Sequence, residues 1–281
     1  MSSLCIDIGA TKVLIGILND DFEEIIEKYT EKFLHNIEKE IEILSNKVDS
    51  ERAFIAAAGP VDEEKGVIYP PNISKDKIHI TKRFGSLFDQ TILINDCNAA
   101  VLGEYNYGIA SVENLIYLSM STGIGAGVIA DGSLIRGSTN NFAEVGHMKI
   151  AEEGKCGCGR IGHWEGLCSG KNIPKVAEKE IGEHFEGTKE VFEKYIEGDE
   201  RVKAVLDRVI DYNSTAISNL INLYDPAHIS IGGSMGLNQF DVLIDKDKIK
   251  KEVIYNMPSI EKSSLGKEAV LYGLKSILKK D

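Results

Sequence analysis

Residues 3–18, SLCIDIGATKVLIGIL, are apolar almost throughout, and the main polar break is the glycine turn GATK. Short apolar runs bounded by turn signals predict buried strands, so the segment reads as strand SLCIDI, turn, strand VLIGIL. At residues 36–48 the pattern changes: Ile37, Ile41 and Leu44 recur at helical spacing. AFIAAAGPVD predicts an apolar strand ended by Gly59-Pro60, and GVIYPPNIS an extended piece ended by Pro70-Pro71. TILINDCNAAVLGEYNYG predicts a short strand, Thr91 to Asn95, running into a helix near Asn98. A second series starts at residue 114, where NLIYLSMSTGIGAGVIADGSLIRG is again strand, glycine turn, strand. Its echo of residues 3–18 hints at duplication of one nucleotide-handling unit. From Lys171 to Leu223 the spacing is helical, with Val202, Val205, Leu206, Val209, Ile210, Ala216, Ile217, Leu220 and Ile221 on one stripe. PAHISIGGSMG then predicts strand and glycine turn, and GKEAVLYGLKSILKK a closing helix. The alternation is that of an α/β chain. Without a long linker, two interlocked α/β domains are expected.

At 281 residues, with 43% apolar and 27% charged, the chain can bury a sizeable core. Its net charge of −12 comes with no basic block, which disfavours nucleic acid and anionic membrane as partners. An aspartate inside the first apolar run argues against a signal peptide. Later apolar runs are broken by Gly, Ser and Thr before reaching the ~20 residues of a membrane helix. Five cysteines, two of them isolated in apolar segments, make a disulfide framework improbable and a reducing cytoplasm the expected compartment.

Chemistry can be sought in three places. The turns DIGATK and STGIGAG could cradle phosphate oxygens with backbone N–H groups, although a glycine-rich hairpin alone is more often only a hairpin. GGS at 232–234 is a third such turn. Asp96 ends a strand where open α/β sheets bind ligands; equally, Asp96 or Asn98 would cap the following helix. Finally, FAEVGHMK precedes CGCGRIGHWEG. A C-x-C pair is narrow for zinc, but His147, Cys156, Cys158 and His163 supply four nitrogen and sulfur ligands within 17 residues. A closed set of four signals a structural tetrahedral site.

Taken in order, DIGATK, AGPVD, NDCNAAVLGE, STGIGAGVI with EVGH, CGCGRIGHWEGLCSG and LYDPAHISIGGSM resemble the ROK family of sugar kinases and sugar-responsive repressors. The resemblance implies a duplicated actin-like ATPase (ribonuclease H-like) α/β fold, with two lobes and a cleft between them. Residues 1–108 plus about 265–281 would make the smaller lobe, and 109–264 the larger lobe with its zinc-binding loop. By motif, Asp7, Gly9, Thr11 and Lys12 correspond to the first phosphate loop, and Thr122 and Gly123 to the second. Gly232, Gly233 and Ser234 correspond to the adenosine contact. Gly59, Asn95, Asp96, Glu144, His147 and Glu165 correspond to the sugar set, with Asp96 as catalytic base. His147, Cys156, Cys158 and position 163 correspond to the zinc ligands. The family normally has cysteine at position 163 and glycine at position 10, where this chain has His163 and Ala10. His163 is favoured as the substitute ligand over Cys168, which falls where the family carries a small packing residue.

The implied activity is transfer of the γ-phosphoryl group of ATP to a hexose hydroxyl, with Mg2+ and a structural Zn2+. Glucose is favoured, N-acetylmannosamine comes next, and fructose and N-acetylglucosamine remain open. A non-catalytic sugar-binding regulator of the same family is the alternative. The repressor branch carries a helix-turn-helix ahead of the first phosphate loop, and here that loop begins at Asp7. Sugar and ATP are the expected partners, nucleic acid and membrane are not, and a homodimer is expected because related kinases commonly pair.

Overall fold

The computed structural model describes residues 2–49, 52–69, 76–108 and 112–279; the turn expected at Pro70-Pro71 lies outside the described residues. Strands β1 (Ser3–Ile8), β2 (Lys12–Leu18), β3 (Phe22–Tyr29), β4 (Arg52–Ala57) and β5 (Gln90–Asn95) form one sheet in the order β3-β2-β1-β4-β5. Strands β6 (Leu115–Met120), β7 (Ile124–Ala130), β8 (Ser133–Leu134), β9 (His228–Gly232) and β10 (Ser259–Lys262) form another in the order β8-β7-β6-β9-β10. In both sheets the first three strands in chain order pair antiparallel and the last two join in parallel. The duplication suggested by the sequence echo is therefore a duplication of topology. A small ribbon of Val61–Asp62, Val67–Ile68 and Ile78–His79 follows β4.

The central strands are covered on both faces, which is why β1 and β4 read as continuous apolar runs. Strand β3 gave no such signal. Its sequence FEEIIEKY lies on the sheet edge with its glutamates exposed, where charge deters pairing with another chain.

Helix α1 (Ile37–Ser45) buries Ile37, Ile41 and Leu44 as their spacing predicts. The others that matter here are α2 (Asp96–Tyr107), α3 (Trp164–Cys168), α4 (Ile173–Ile181), α5 (Glu200–Tyr224), α6 (Ser234–Asn238) and α7 (Ala269–Leu278). The helical stretch from Lys171 is divided: α4 stops at Gly182 in the left-handed conformation, and α5 restarts where the Asp199 carboxylate accepts from the Arg201 and Val202 N–H groups. Every residue of the predicted α5 stripe is buried. Among the described residues no helix is long and apolar enough to cross a membrane.

Helix α2 starts at Asp96, two residues before the expected position, and its cap is neither Asp96 nor Asn98. Asn95 Oδ1 accepts from the N–H groups of Cys97 at 2.9 Å and Asn98 at 3.1 Å. Along its length α2 meets α7 backbone to backbone. A Cβ added at Gly103 would lie 2.1 Å from Ala269 O, and one added at Gly273 would lie 1.8 Å from Ala99 O. Helix α7 also packs on β1, β2 and β4, so the C-terminus returns to the first sheet.

The chain makes that return at residues 263–265, where a buried carboxylate holds it. Glu104, near the end of α2, accepts from Ser263 Oγ, Ser264 Oγ at 3.1 Å, the Leu265 N–H at 3.2 Å and Ser230 Oγ at 3.2 Å. A buried carboxyl group persists when several donors converge on it. Replacing Glu104 by Ala strands those donors, and each stranded group costs ~1–3 kcal/mol. The expected result for Glu104→Ala is a loss of at least about 3 kcal/mol in denaturant unfolding, with Glu104→Gln recovering part of it.

Candidate active site

A cavity of about 390 Å³ opens between the two sheets. One side is built from turns. The Gly9 N–H donates to Lys12 O at 3.0 Å, closing the β1–β2 turn, and the Thr30 hydroxyl donates to Gly9 O at 2.8 Å. Thr11 Oγ1 lies 3.4 Å from Thr122 Oγ1, so the two glycine turns meet. Ser121 Oγ and Ser234 Oγ are 3.1 Å apart, which brings the β9–α6 turn to the same place. That turn passes through Gly233 at φ 76°, pressed against the Met120 carbonyl, and only glycine fits there. Asp7, Gly9, Thr122, Gly123, Gly233 and Ser234 line the cavity. Gly232 ends β9 against the Tyr117 hydroxyl. The Lys12 ammonium pairs with Glu27 on β3, and Lys12 is not among the lining residues.

The other side carries acids. Gly59, Asn95, Asp96, Glu144, His147 and Glu165 all line the cavity. Besides capping α2, Asn95 donates from Nδ2 to Gly59 O at 3.1 Å, tying the end of β5 to the turn after β4. Because Asn95 caps the helix, the Asp96 carboxyl stays at its first turn facing the cleft, accepting from the Cys97 N–H at 2.8 Å. Burial pushes Asp96 up to about 6; the Cys97 N–H opposes this and the nearby Glu144 adds to it. Burial, then the charge of Asp96, holds Asp7 well above the ordinary carboxylate range. Burial and Glu165 likewise raise Glu144, against the pull of His147. Glu165 is fixed by the Ile124 N–H, which donates to its Oε2 at 3.1 Å.

Beside these acids lies the cysteine-rich loop. The Cys156 N–H donates to Arg160 O at 2.8 Å and the Gly159 N–H to Cys156 O at 2.9 Å, forming a tight turn with Cys158 at its tip. Residues 149–151 pair with 162–163 below it. Trp164, fully buried, donates from Nε1 to Asn213 Oδ1 at 2.8 Å and so anchors the loop to α5. The ligand atoms of His147, Cys156, Cys158 and His163 lie within 4.8 Å of one another. His147 Nδ1 is 3.3 Å from His163 Nδ1 and 3.6 Å from Cys156 Sγ, and Cys158 Sγ is 3.3 Å from His163 Nδ1. A tetrahedral ion with bonds of about 2.0–2.1 Å to nitrogen and about 2.3 Å to sulfur spaces its ligands roughly 3.3–3.8 Å apart. The three spacings fall in that range, and four nitrogen and sulfur donors are the set such an ion takes. Without a cation, burial pushes Cys156 up to about 11; a dication would turn it into a thiolate. Cys168 faces the other way, its buried thiol against Val209 O at 3.7 Å.

Several lining residues carried no signal in the sequence. Lys171 and Lys267 line the cavity near the turns: the Lys171 N–H donates to Thr122 O at 3.3 Å, and Lys267 follows Gly266, itself a lining residue. Isolated lysines beside a helical pattern look like any solvated face. Asn141 lines the opposite side, and its loop was not assigned.

Residues 3–280 match the ROK family, and the chain belongs to it. It is 30% identical over 276 residues to a glucokinase from Pyrobaculum calidifontis, covering 96% of this chain and 92% of the relative. It is 28% identical over 284 residues to an N-acetylmannosamine kinase from Haemophilus influenzae, covering 97% and 94%. The crystal structure of a ROK hexokinase from Thermus thermophilus superposes with a TM-score of 0.84 at 26% identity, covering all of both chains. The two-lobe actin-like architecture is thus shared.

The electrostatics of the acid side can be tested directly. A ¹³C NMR titration should give Asp96 a midpoint near pH 6. Glu144→Gln removes a negative neighbour that favours the protonated form, so the midpoint should move to lower pH. A midpoint near 4 in the unaltered protein would contradict the geometry.

Proposed function

We propose that this protein is an ATP-dependent sugar kinase that transfers the γ-phosphoryl group to a hexose hydroxyl, with the 6-hydroxyl the expected acceptor, glucose favoured and N-acetylmannosamine next. The observation that carries the reading is the placement of Asp96 across one cavity from three converging turns. The relatives named glucokinase and N-acetylmannosamine kinase support the same reaction class.

Under this reading the phosphates lie against the backbone of Gly9, Thr11, Thr122 and Gly123, with Lys171 and Lys267 beside them. Gly232, Gly233 and Ser234 meet the adenosine. Lys12 reaches a phosphate by leaving Glu27, and an exposed ion pair exchanges partners readily. Asp7 is the carboxylate placed to meet Mg2+, which neutralises phosphate charge when bound. Asn95, Glu144, His147, Glu165 and the Gly59 backbone hold the sugar.

The acceptor hydroxyl has a pKa of roughly 15.7, like water, whereas Asp96 sits at about 6. The gap of nearly ten units makes full deprotonation before attack cost roughly 13 kcal/mol at ~1.36 per unit. Asp96 therefore orients the hydroxyl and takes its proton as the new P–O bond forms in a loose transition state. General-base assistance is worth ~10²–10⁴-fold, so positioning and charge neutralisation supply the rest.

The four-ligand cluster is read as a structural zinc site, formally neutral with two thiolates and two imidazoles. It would fix the loop carrying His147 and Glu165. The reading also makes the protein a cytoplasmic homodimer; Leu223, Ile254 and Tyr255, all largely exposed, offer apolar surface for pairing.

Asp96→Asn should lower kcat by ~10²–10⁴-fold while the sugar dissociation constant changes little, read by a coupled ADP assay and calorimetry across hexoses. An unchanged kcat removes Asp96 as the base. Elemental analysis should find about one zinc per chain, and Cys158→Ser should lose it and weaken sugar binding more than ATP binding. Active protein free of zinc would remove the metal's structural role.

A further inference from the structure

One wall of the cleft is fastened by contacts that phosphoryl transfer itself does not require. Val61 follows Gly59-Pro60 off β4 in the first sheet; Asn141 lies between β8 of the second sheet and Glu144. The Val61 N–H donates to Asn141 Oδ1 at 2.9 Å, and Asn141 Nδ2 donates back to Val61 O at 3.1 Å. A side-chain amide thus pairs with backbone across the lobes as a neighbouring strand would. Nδ2 also donates to Thr139 O at 2.6 Å, committing both its hydrogens. Further out, Arg136 Nη1 donates to Glu63 Oε2 at 2.8 Å. The segment that carries Arg136 and Asn141 holds Asn140 at φ 59° and, beyond Asn141, Ala143 at φ 65°, left-handed positions that cost a non-glycine residue energy and persist only where surrounding contacts hold them.

Gly59, Pro60, Asn141, Phe142, Ala143 and Glu144 all line the cavity, whereas Arg136 and Glu63 do not. The clasp therefore joins the two segments that would face a sugar from opposite lobes. We propose that Asn141 is a positioning residue for sugar selection. Its bridge to Val61 sets the spacing between the Gly59-Pro60 backbone and Glu144, and with it the bulk of ring substituent the wall admits. The inference rests on the sugar-kinase reading and names a determinant of which hexose that site accepts.

The test compares Asn141→Ala and Arg136→Gln with the wild type on a hexose and its 2-acetamido derivative. Asn141→Ala should raise the KM of the preferred sugar about tenfold, because the wall is no longer pre-organised at its spacing before the sugar binds. The ATP KM should stay within about twofold, because the wall does not touch the phosphate turns. The kcat/KM ratio should shift toward the bulkier sugar, and amide exchange at Val61 should quicken. Arg136→Gln, acting from outside the cavity, should shift the ratio the same way by a smaller factor. A shift confined to Asn141→Ala would assign the effect to direct sugar contact and overturn the clasp, as would unchanged sugar KM and ratio in both variants. Should Asn141→Ala fail to fold, Arg136→Gln decides alone by the same ratio. Wild-type protein that phosphorylates no hexose would instead sink the kinase reading.

Discussion

The contact between Asp96–Tyr107 and Ala269–Leu278 leaves no space for a side chain at its crossing, and the cleft takes its geometry from that restriction. Gly103 and Gly273 let two backbones touch, and a third backbone closes in where a Cβ at Gly127 would come within 2.2 Å of Cys97 O. A helix packed this closely cannot rotate or slide without steric overlap. At its head it holds the Asp96 carboxyl; near its tail Glu104 pins the chain as it crosses between lobes. Close packing of the helix, together with the Asn95 cap at its head, places the proposed base.

The same head end sets opposing influences on that carboxyl. A helix N-terminus and its free N–H groups favour the anion, and the Cys97 N–H acts in that sense. Burial and the neighbouring Glu144 act against it and win, leaving Asp96 at about 6. Asp7, Asp96, Glu144 and Glu165 all border one cavity, while Lys171 and Lys267 stand near the turns. Both lysines therefore stand on the turn side, with Asp7 among the turns, and Asp96, Glu144 and Glu165 make up the acid side. On the proposed reading, an anionic triphosphate would be drawn to the lysines and a neutral polyol would suit the acids.

The parts of this arrangement legible in the sequence were those with local signatures. β1, β2, β4 and β6 announced themselves as apolar runs, and α5 by a stripe that a helix must bury. The ligands His147, Cys156, Cys158 and His163 could be grouped because they fall close together in the chain. Strand β3 escaped because an edge strand with exposed glutamates lacks the apolar run that marks a buried one. The cap on α2 was expected at Asp96 or Asn98 and falls on Asn95: the three have similar capping chemistry, and only the end of β5 decides among them. Asn141 and Lys267 were invisible for a different reason. Their roles arise from what lies opposite them in space, at sequence separations of 80 residues for Asn141 and Val61, and no local pattern encodes that.

The cysteine loop and the acid cluster have to be considered together because they share His147. Its Nδ1 belongs to the four-ligand cluster, and its Nε2 lies 3.8 Å from Glu144 Oε2. On the proposed reading, a metal on Nδ1 would leave Nε2 as the nitrogen that carries the hydrogen and donates. Glu144 beside it, once ionised, only accepts. A hydroxyl both donates and accepts, and so satisfies the two at once; an ammonium or a carboxylate satisfies one and opposes the other. On that reading the pair would discriminate by chemical class before any question of ring shape arises. Once a sugar carries a phosphate, the same carboxylates face a dianion, and repulsion across the cavity favours its departure.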